Sequence, residues 1–276
     1  MTANAINGFL NCYQEWQSSK LRNPINILLL NLMPTKQATE RQFLKAFNDL
    51  KQDVNFTFAY PTSHSFKGTS REAMAHTYLK FSEAAKKDYD ALIITGAPVE
   101  TLDFEQVDYW QEFEQIINWS HTHVKQTLLE CWASQAALAI EFNLKKQNLR
   151  EKIFGIYSAT DIDTTSPLMA GLTTKNQLKM PQSRHTNIDQ PHGVKIVCSN
   201  DEIGPMILHA SQINQTYLTG HPEYDVDTLK IEYERDLNKK KAILAPKNYF
   251  DRDHHIHNTW QSSSHQVYQN WLNLMN

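Results

Sequence analysis

Three residues in this sequence have the side chains of a nucleophilic triad. Cys131 stands where a strand-like run, residues 128–130, changes into a helical pattern. His221 and Glu223 stand two positions apart after a second strand-like run, residues 215–219. A thiol that attacks, an imidazole that moves the proton and a carboxylate that orients the imidazole indicate nucleophilic catalysis by a cysteine. A cysteine at a helix N-terminus also lies in the field of the helix dipole, which favours its thiolate form.

Each of these residues also has an ordinary structural interpretation. A lone cysteine is most often a small buried residue, and a chain with 12 histidines has many that serve only as hydrogen-bonded side chains. Glu223 is favourable near a helix start whatever its role. The triad hypothesis therefore depends on the combination, in which Gln135 also lies one helical turn after Cys131.

The composition limits the possible functions. A chain of 276 residues can form one large α/β domain, and its net charge of −3 gives no basic surface that would indicate a nucleic-acid partner. Three widely spaced cysteines argue against a disulfide framework and favour a reducing, cytoplasmic compartment. The most apolar early run, residues 27–33, is too short to span a membrane, and no signal-peptide pattern precedes it. The common phosphate, dinucleotide and zinc-protease motifs are missing from the sequence.

Buried strands alternate with amphipathic helices from residue 25 onward, which predicts a mostly parallel sheet flanked by helices on both faces. Residues 1–24 are mostly polar and are expected to form a mobile arm or lead-in segment, followed by a single domain over 25–276. The predicted strands cover 25–32, 54–60, 90–95 and 128–131, and the predicted helices cover 39–50, the segment with Val107 to Ile117, 132–140, 226–237 and 267–274. Shorter strands at 153–157, 194–198, 206–210 and 215–219 are expected to form a mixed or antiparallel extension of the sheet.

Five residues with chemical potential follow predicted strands: Lys36, Gly96, Glu100, Cys131 and His221. The carboxyl ends of parallel strands meet at one edge of a sheet, where ligands bind, so these residues are expected to gather there. Gly96 belongs either to a simple turn or to an open backbone whose N–H groups hold an oxyanion. On sequence grounds alone, Lys36 is better interpreted as a solvated lysine than as a site residue.

A histidine-rich segment, residues 254–257, raises a metal hypothesis. Adjacent histidines in a polar loop seldom converge with further ligands, so no metal site is predicted.

At these positions the chain resembles the homoserine O-acyltransferases of methionine biosynthesis, a family related to class I glutamine amidotransferases. The match runs in order through almost the whole chain. The segments that carry it are Leu30-Asn31-Leu32-Met33-Pro34-Thr35-Lys36, Thr95-Gly96-Ala97-Pro98-Val99-Glu100, Asp108-Tyr109-Trp110, Cys131-Trp132, Gln135-Ala136-Ala137-Leu138, Gly220-His221-Pro222-Glu223-Tyr224-Asp225, Arg235-Asp236, Pro246-Lys247-Asn248-Tyr249-Phe250, Asn258-Thr259-Trp260 and Asn270-Trp271-Leu272-Asn273.

The resemblance implies a flavodoxin-like class I glutamine amidotransferase fold, with an acyl-thioester on Cys131, His221 as general base and Glu223 as its orienting partner. Backbone N–H groups of Trp132 and Gly96 would stabilise the oxyanion. The family positions for substrate contact fall on Lys36, Lys152, Ser183 and Arg235. Small-molecule substrates, no bound cofactor and a homodimer are expected.

The resemblance also bears on the acyl donor. The position that separates acetyl users from succinyl users falls on Glu100, where succinyl users are expected to have glycine. A carboxylate there would repel the free carboxylate of a succinyl group, so acetyl-CoA is the expected co-substrate.

The acceptor is left open between L-homoserine and L-serine, because the chain departs from the family pattern around the presumed acceptor pocket. The departures are Ala133-Ser134, Ser158-Ala159, Gln182 and Trp260-Gln261-Ser262-Ser263. Serine is one methylene shorter than homoserine and would place the enzyme in cysteine biosynthesis; a methylene is worth only about 1–3 kcal/mol in discrimination. The remaining alternatives are homoserine O-succinyl transfer, a glutamine amidotransferase-type cysteine hydrolase, and a non-catalytic relative that binds a metabolite.

Overall fold

The computed structural model describes residues 2–65, 70–174, 177–189 and 192–275. The strands are β1 (Ala3–Ala5), β2 (Ile25–Leu30), β3 (Val54–Tyr60), β4 (Leu79–Lys80), β5 (Ala91–Ile94), β6 (Gln126–Glu130), β7 (Lys146–Ser158), β8 (Asp161–Ile162), β9 (Lys179–Ile188), β10 (Lys195–Asn200), β11 (Gly204–Ala210) and β12 (Gln215–Leu218). The helices are α1 (Phe9–Cys12), α2 (Lys36–Asn48), α3 (Arg71–Thr77), α4 (Phe81–Ala84), α5 (Trp110–His123), α6 (Trp132–Phe142), α7 (Thr228–Asn238) and α8 (Gln261–Asn273).

Ten strands form the main sheet in the order β1-β3-β2-β5-β6-β12-β11-β10-β8, with β4 paired to β3 off this path. In this order, the neighbouring strands β1, β3, β2, β5, β6 and β12 all pair in parallel. The sheet then continues from β12 through β11, β10 and β8 in antiparallel pairs. This arrangement confirms the predicted α/β class with a mostly parallel sheet. It also places β6 beside β12, although 84 residues lie between Glu130 and Gln215.

Side-chain alternation along the central strands builds a hydrophobic core on each face of the sheet. On β2, Ile27 and Leu29 pack in the cluster that includes the buried residues of α2 and α8. Leu28 and Leu30, which point the other way, pack in the cluster formed with α5 and α6. Helices on both faces therefore hold the parallel strands in register and fix the edge at which they end. No helix within the described ranges is both long and apolar enough to cross a membrane.

The N-terminal segment is docked onto the domain, which differs from the expected mobile arm. Strand β1 pairs in parallel with β3, and Phe9 and Leu10 of α1 are buried. The Glu40 carboxylate of α2 accepts hydrogen bonds from the backbone N–H groups of Phe9 at 2.9 Å and Leu10 at 2.8 Å. Backbone pairing and two small buried alanines hold the segment, and neither is visible in its polar composition.

Strand β7 departs from the predicted extension of the main sheet. It forms a separate two-stranded antiparallel ladder with β9, a strand that the sequence analysis missed. In β7, residues 146–152 are largely exposed and residues 153–158 mostly buried, so its polar first half hides the continuity of the strand. The prediction of a mixed or antiparallel extension is confirmed for β10, β11 and β12. Strand β12 pairs in parallel with β6 and antiparallel with β11, and β11 pairs antiparallel with β10.

Candidate active site

The adjacency of β6 and β12 brings Cys131 and His221 together. The two strands run in parallel with Glu130 opposite Leu218, and the Cys131 N–H donates to the Leu218 carbonyl at 2.8 Å. Both strands end at the same edge, so the residues that follow them share one small region of space. The predicted convergence of Cys131 and His221 is therefore present in the structure.

Cys131 occupies a strained turn between β6 and α6. Its backbone has φ 50° and ψ −114°, a conformation that a residue with a side chain rarely adopts and that costs on the order of 1–3 kcal/mol. The residue is the N-cap of α6, so the helix begins immediately after the thiol. The first N–H groups of a helix have no acceptor inside it, and the Trp132 N–H is the first of these. The turn thus presents the sulfur beside unsatisfied backbone donors and the positive end of a helix dipole.

His221 is held on both sides of its ring. Its Nδ1 lies 2.8 Å from Glu223 Oε1, and its ring stacks on Tyr224 with the centroids 4.3 Å apart. The imidazole also interacts with Cys131. Burial alone would lower the pKa of His221, but the negative thiolate and its hydrogen bond outweigh burial and raise that pKa above its ordinary value. The protonated form of His221 is therefore favoured by its neighbour Cys131.

Two glycines permit the close packing around the triad. A methyl group added at Gly96 would lie 3.1 Å from His221 Cε1 and 3.2 Å from Cys131 Cβ, so the turn after β5 touches both residues. One added at Gly220 would lie 2.4 Å from the Pro181 carbonyl, where the chain turns toward His221. A side chain at Gly220 would collide with the Pro181 backbone, and one at Gly96 would require His221 or Cys131 to shift.

The predicted substrate residues Lys152 and Ser183 lie together at Glu232, a residue that the sequence analysis missed. Lys152 Nζ lies 3.5 Å from Glu232 Oε2, and the Ser183 hydroxyl donates to the same oxygen. Tyr224, stacked on His221, donates its hydroxyl to Glu232 Oε1 at 2.6 Å. This carboxylate thus joins β7 and β9 to the triad through the Tyr224 ring.

Arg235 lies one helical turn after Glu232 on α7 and its side chain is 49% exposed. Its Nε donates to Asp236 Oδ1 at 3.0 Å and its Nη2 donates to Oδ2 at 3.1 Å, which leaves the Nη1 group and one N–H of Nη2 for a ligand. Lys152 Nζ also lies 3.6 Å from Asp236 Oδ2. The structure therefore gathers Lys152, Ser183 and Arg235 on one side of the triad.

Lys36 is buried at the start of α2 and donates to the Asn31 carbonyl at 2.6 Å. Burial lowers its pKa to about 7, because an ammonium group is poorly solvated there. It lines a cavity of about 410 Å³ at the strand edge, together with Pro98 and Val99 of the turn that begins at Gly96. The solvated interpretation of Lys36 is therefore wrong, and its predicted place at the carboxyl edge is confirmed.

Glu100 follows this turn and is half-buried. Its carbonyl accepts a hydrogen bond from Lys146 Nζ at 2.9 Å, and its carboxylate interacts electrostatically with Lys146 and His185. His185 follows Ser183 by two residues on β9, so Glu100 faces the same side as the Glu232 cluster.

Two further charged residues near Cys131 were missed. Arg184 is fully buried, and burial lowers its pKa to about 10, so it stays protonated at neutral pH beside the Cys131 thiolate. Glu130 directly precedes Cys131 and is fully buried. The sequence did offer a signal for Glu130, because an acid at the end of an apolar strand is unusual. The sequence around Arg184 offered no such signal.

The positions that depart from the family pattern mostly bond to the protein itself. The Ser134 hydroxyl donates to the Cys131 carbonyl at 2.9 Å, and that of Ser263 donates to the Lys179 carbonyl at 2.7 Å. Gln182 is buried and its Oε1 accepts from Arg184 Nε at 3.0 Å. Within the described residues its Nε2 has no hydrogen-bond acceptor.

The histidine-rich loop contributes His255 to a surface group with Asp251 and Asp253, whose ligand atoms lie within 4.8 Å of one another. All three residues are exposed, and the Asp251 carboxylate accepts backbone hydrogen bonds from the other two. Such turns are common without an ion, and the group lies outside the site described above.

Comparison with known proteins decides the family. The model of the homoserine O-succinyltransferase family matches residues 11–276. The chain is 39% identical over 258 residues to the homoserine O-acetyltransferase of Bacillus licheniformis, covering 91% of this chain and 85% of that protein. It is 40% identical to the homoserine O-acetyltransferase of Lactococcus lactis subsp. lactis, covering 91% and 80%.

The chain belongs to the homoserine O-succinyltransferase family. It is therefore an acyltransferase, as the sequence resemblance predicted. Among solved structures, a glutamine amidotransferase from Thermotoga maritima matches with a TM-score of 0.62 and 13% identity, covering 92% of this chain and 99% of that one. One from Methylobacillus flagellatus matches with a TM-score of 0.62 and 10% identity, covering 92% and 95%. At these identities the likeness concerns the fold alone, and it confirms the predicted glutamine amidotransferase-like architecture.

Proposed function

We propose that this family member transfers an acetyl group from acetyl-CoA to the side-chain hydroxyl of L-homoserine through a thioester on Cys131. The observation that carries the proposal is the Cys131–His221–Glu223 arrangement at the strand edge, against the Gly96 turn. The relatives named homoserine O-acetyltransferase support homoserine as acceptor and acetyl as the acyl group. The three cysteines are free, in keeping with a reducing compartment, and we place the enzyme in the cytoplasm.

In the first half-reaction the Cys131 thiolate attacks the thioester carbonyl of acetyl-CoA. The N–H groups of Trp132 and Gly96 face the developing oxyanion, and preorganised donors of this kind contribute several kcal/mol. The carbon–sulfur bond to CoA breaks, the His221 imidazolium protonates the departing thiolate, and an acetyl-thioester remains on Cys131. The cavity beside Lys36, Pro98 and Val99 adjoins the Gly96 turn and is our candidate for the donor arm.

In the second half-reaction the acceptor hydroxyl attacks this thioester. His221, now neutral, takes the hydroxyl proton, and the Cys131 thiolate leaves as the ester forms. The amino acid brings a carboxylate and an ammonium group. The Arg235 guanidinium suits the carboxylate in a two-pronged contact, while Glu232 suits the ammonium group. Lys152 and Ser183 hold the Glu232 carboxylate in place.

L-Serine is the second candidate acceptor, and Gln182 is the observation in its favour. This residue replaces a histidine expected from the family pattern, and it packs against Gly220 just before His221. A changed residue behind the catalytic histidine alters the depth at which an acceptor hydroxyl must sit. The single methylene that separates serine from homoserine is worth about 1–3 kcal/mol, so partial activity on both is expected.

Release of free CoA thiol tests the proposal directly. Acetyl-CoA and succinyl-CoA are each offered with L-homoserine or with L-serine. L-Glutamine is offered by itself, without a CoA ester. We expect CoA release with acetyl-CoA and homoserine, and weaker release with serine. A serine preference would move the enzyme to cysteine synthesis. Hydrolysis of glutamine without CoA, or silence with every pair, would refute the proposal.

A Glu100→Gly variant is expected to accept succinyl-CoA better, with its kcat/KM ratio of succinyl-CoA to acetyl-CoA raised at least about tenfold. The reason is removal of a carboxylate that opposes the free succinyl carboxylate, a repulsion worth several kcal/mol at close range. The backbone carbonyl that binds Lys146 is retained by glycine. Glu105→Gly, at an exposed acid of the same segment, is the matched control. An unchanged ratio in Glu100→Gly would show that Glu100 does not select the donor.

A further inference from the structure

A second buried acid lies behind the triad. Glu130, the last residue of β6, is fully buried, and its Oε1 accepts a hydrogen bond from the Tyr268 hydroxyl of α8 at 2.7 Å. Tyr268 is itself fully buried and packs on Phe47 with the ring centroids 4.7 Å apart. The acid is therefore fixed by a rigid partner rather than free to turn toward solvent.

The carboxyl groups of Glu130 and Glu223 lie within hydrogen-bonding reach of each other. Each uses its Oε1 elsewhere, for Tyr268 and for His221 respectively. The remaining Oε2 atoms are both buried, and neither meets a donor from any other part of the described chain. Two carboxylates cannot both be ionised in such contact, and a hydrogen bond between them requires a shared proton.

We propose that Glu130 is a positioning residue for the triad: it carries a proton and donates it to Glu223. The resulting chain runs from the Tyr268 hydroxyl through the Glu130 carboxylic acid, the Glu223 carboxylate and His221 to Cys131. The donated hydrogen bond fixes the Glu223 carboxylate so that Oε1 meets Nδ1 of His221. It also keeps the proton off Glu223, which must remain an acceptor to stabilise the imidazolium. The inference deepens the proposed function, since it concerns the reactivity of the same thiol.

The surroundings of the pair favour this distribution of charge. Burial raises the pKa of Glu130 well above its ordinary value and that of Glu223 to about 8, while the contact between the two acids raises the pKa of Glu130 and lowers that of Glu223, so of the two acids Glu130 holds the shared proton. The titratable groups that face the pair are Tyr268 from α8, Glu232 from α7, and Tyr224, His221 and Cys131 at the strand edge. The imidazolium is the positive charge closest to Glu223, so the ionised carboxylate belongs there and the proton belongs on Glu130.

Alkylation of Cys131 by iodoacetamide tests the proposal without CoA or an acceptor, so a failed function proposal leaves this test intact. The exposed Cys12 is first changed to serine so that Cys131 is the reactive thiol, since burial raises the pKa of the Cys198 thiol to about 12. Glu130→Gln keeps a donor toward Glu223 and an acceptor for Tyr268. Glu130→Leu keeps the volume and removes both.

In Glu130→Leu the contact that lowers the pKa of Glu223 is lost while its burial remains, so Glu223 takes up a proton at neutral pH, the imidazolium loses its partner, and the thiolate forms only at higher pH. We expect alkylation at pH 7 at least about tenfold slower, with the pH midpoint of alkylation raised by about one unit. Glu130→Gln should stay within about threefold of the parent, with the same midpoint. Glu141→Gln, at an acid paired with His121 away from the site, is the matched control. Equal alkylation rates in the leucine and glutamine variants would overturn the proposal.

Infrared difference spectra provide a readout that does not depend on the leucine variant folding. The parent protein is expected to show the carbonyl stretch of one buried carboxylic acid at neutral pH. That band should be absent from Glu130→Gln and present in Glu141→Gln. A parent spectrum identical to that of Glu130→Gln in this region would mean that Glu130 carries no proton.

Discussion

A Cys131→Ala variant is expected to lose acyl transfer by at least about 10³-fold in kcat, because the attacking atom of the first half-reaction is removed. Alanine fits the same backbone conformation and the same small volume, so the fold and the thermal midpoint Tm should change little. The measurement is CoA release from acetyl-CoA with homoserine. In the parent enzyme, acetyl-CoA without acceptor should also add the mass of one acetyl group to the protein, and this addition should be absent from the variant.

Cys12→Ser is the matched control for this prediction. Cys12 is exposed at the end of α1 and lies away from the strand edge, so its replacement should leave turnover and the acetyl adduct unchanged. If Cys131→Ala retained turnover within tenfold of the parent, the thioester mechanism would be wrong, and direct transfer from CoA to the acceptor would replace it.

The convergence of Cys131 and His221 was predictable because it depends on a rule of topology rather than on distance in sequence. Each residue follows a buried strand, and strand ends of a parallel sheet meet at one edge. Gly96 was found by the same rule, since it follows β5, the other neighbour of β6. The rule requires only that the strands be recognised, and their apolar runs made that possible.

The charged residues around this core could not be found in the same way. Tyr268 reaches Glu130 across 138 residues of sequence, and the partner of Ser183 at Glu232 is 49 residues away. Arg184 lies on β9, a strand whose alternating polar residues resemble those of an exposed segment. Burial of these groups is decided by which elements pack together, and the sequence around Ser183, Arg184 and Glu232 is typical of solvated surface.

The errors in the fold have a related cause. The β1 strand was missed because alanine and asparagine are weak strand formers, and it exists because β3 offers an unpaired edge. The β7–β9 ladder was missed because its exposed half lacks an apolar run. In both cases the strand is formed by hydrogen bonds to a neighbouring strand, and the local sequence alone does not indicate it.

A His221→Gln variant is expected to lose about 10²–10⁴-fold in kcat, since one residue acts as acid in the first half-reaction and as base in the second. The charge on Cys131 explains how His221 serves as the acid in one half-reaction and as the base in the other. In the free enzyme the thiolate raises the pKa of His221, against the lowering effect of burial. Acetylation removes the negative charge from the sulfur while the burial remains, so the pKa must fall. The imidazolium that protonates CoA is thereby converted into the neutral base that the acceptor hydroxyl requires.

This change of pKa is measurable in the parent enzyme. In a two-step transfer, kcat/KM for acetyl-CoA reports on the free enzyme and kcat/KM for the acceptor reports on the acetyl-enzyme. In the pH profile of kcat/KM for acetyl-CoA, the alkaline limb marks loss of the imidazolium proton. In the pH profile of kcat/KM for the acceptor, the acid limb marks formation of the neutral imidazole. The first of these limbs should lie at higher pH than the second. Both limbs should vanish in His221→Gln and persist in His209→Gln, a half-buried histidine of β11 that contacts Thr216. Coincident limbs in the parent would mean that the Cys131 thiolate does not set the protonation of His221.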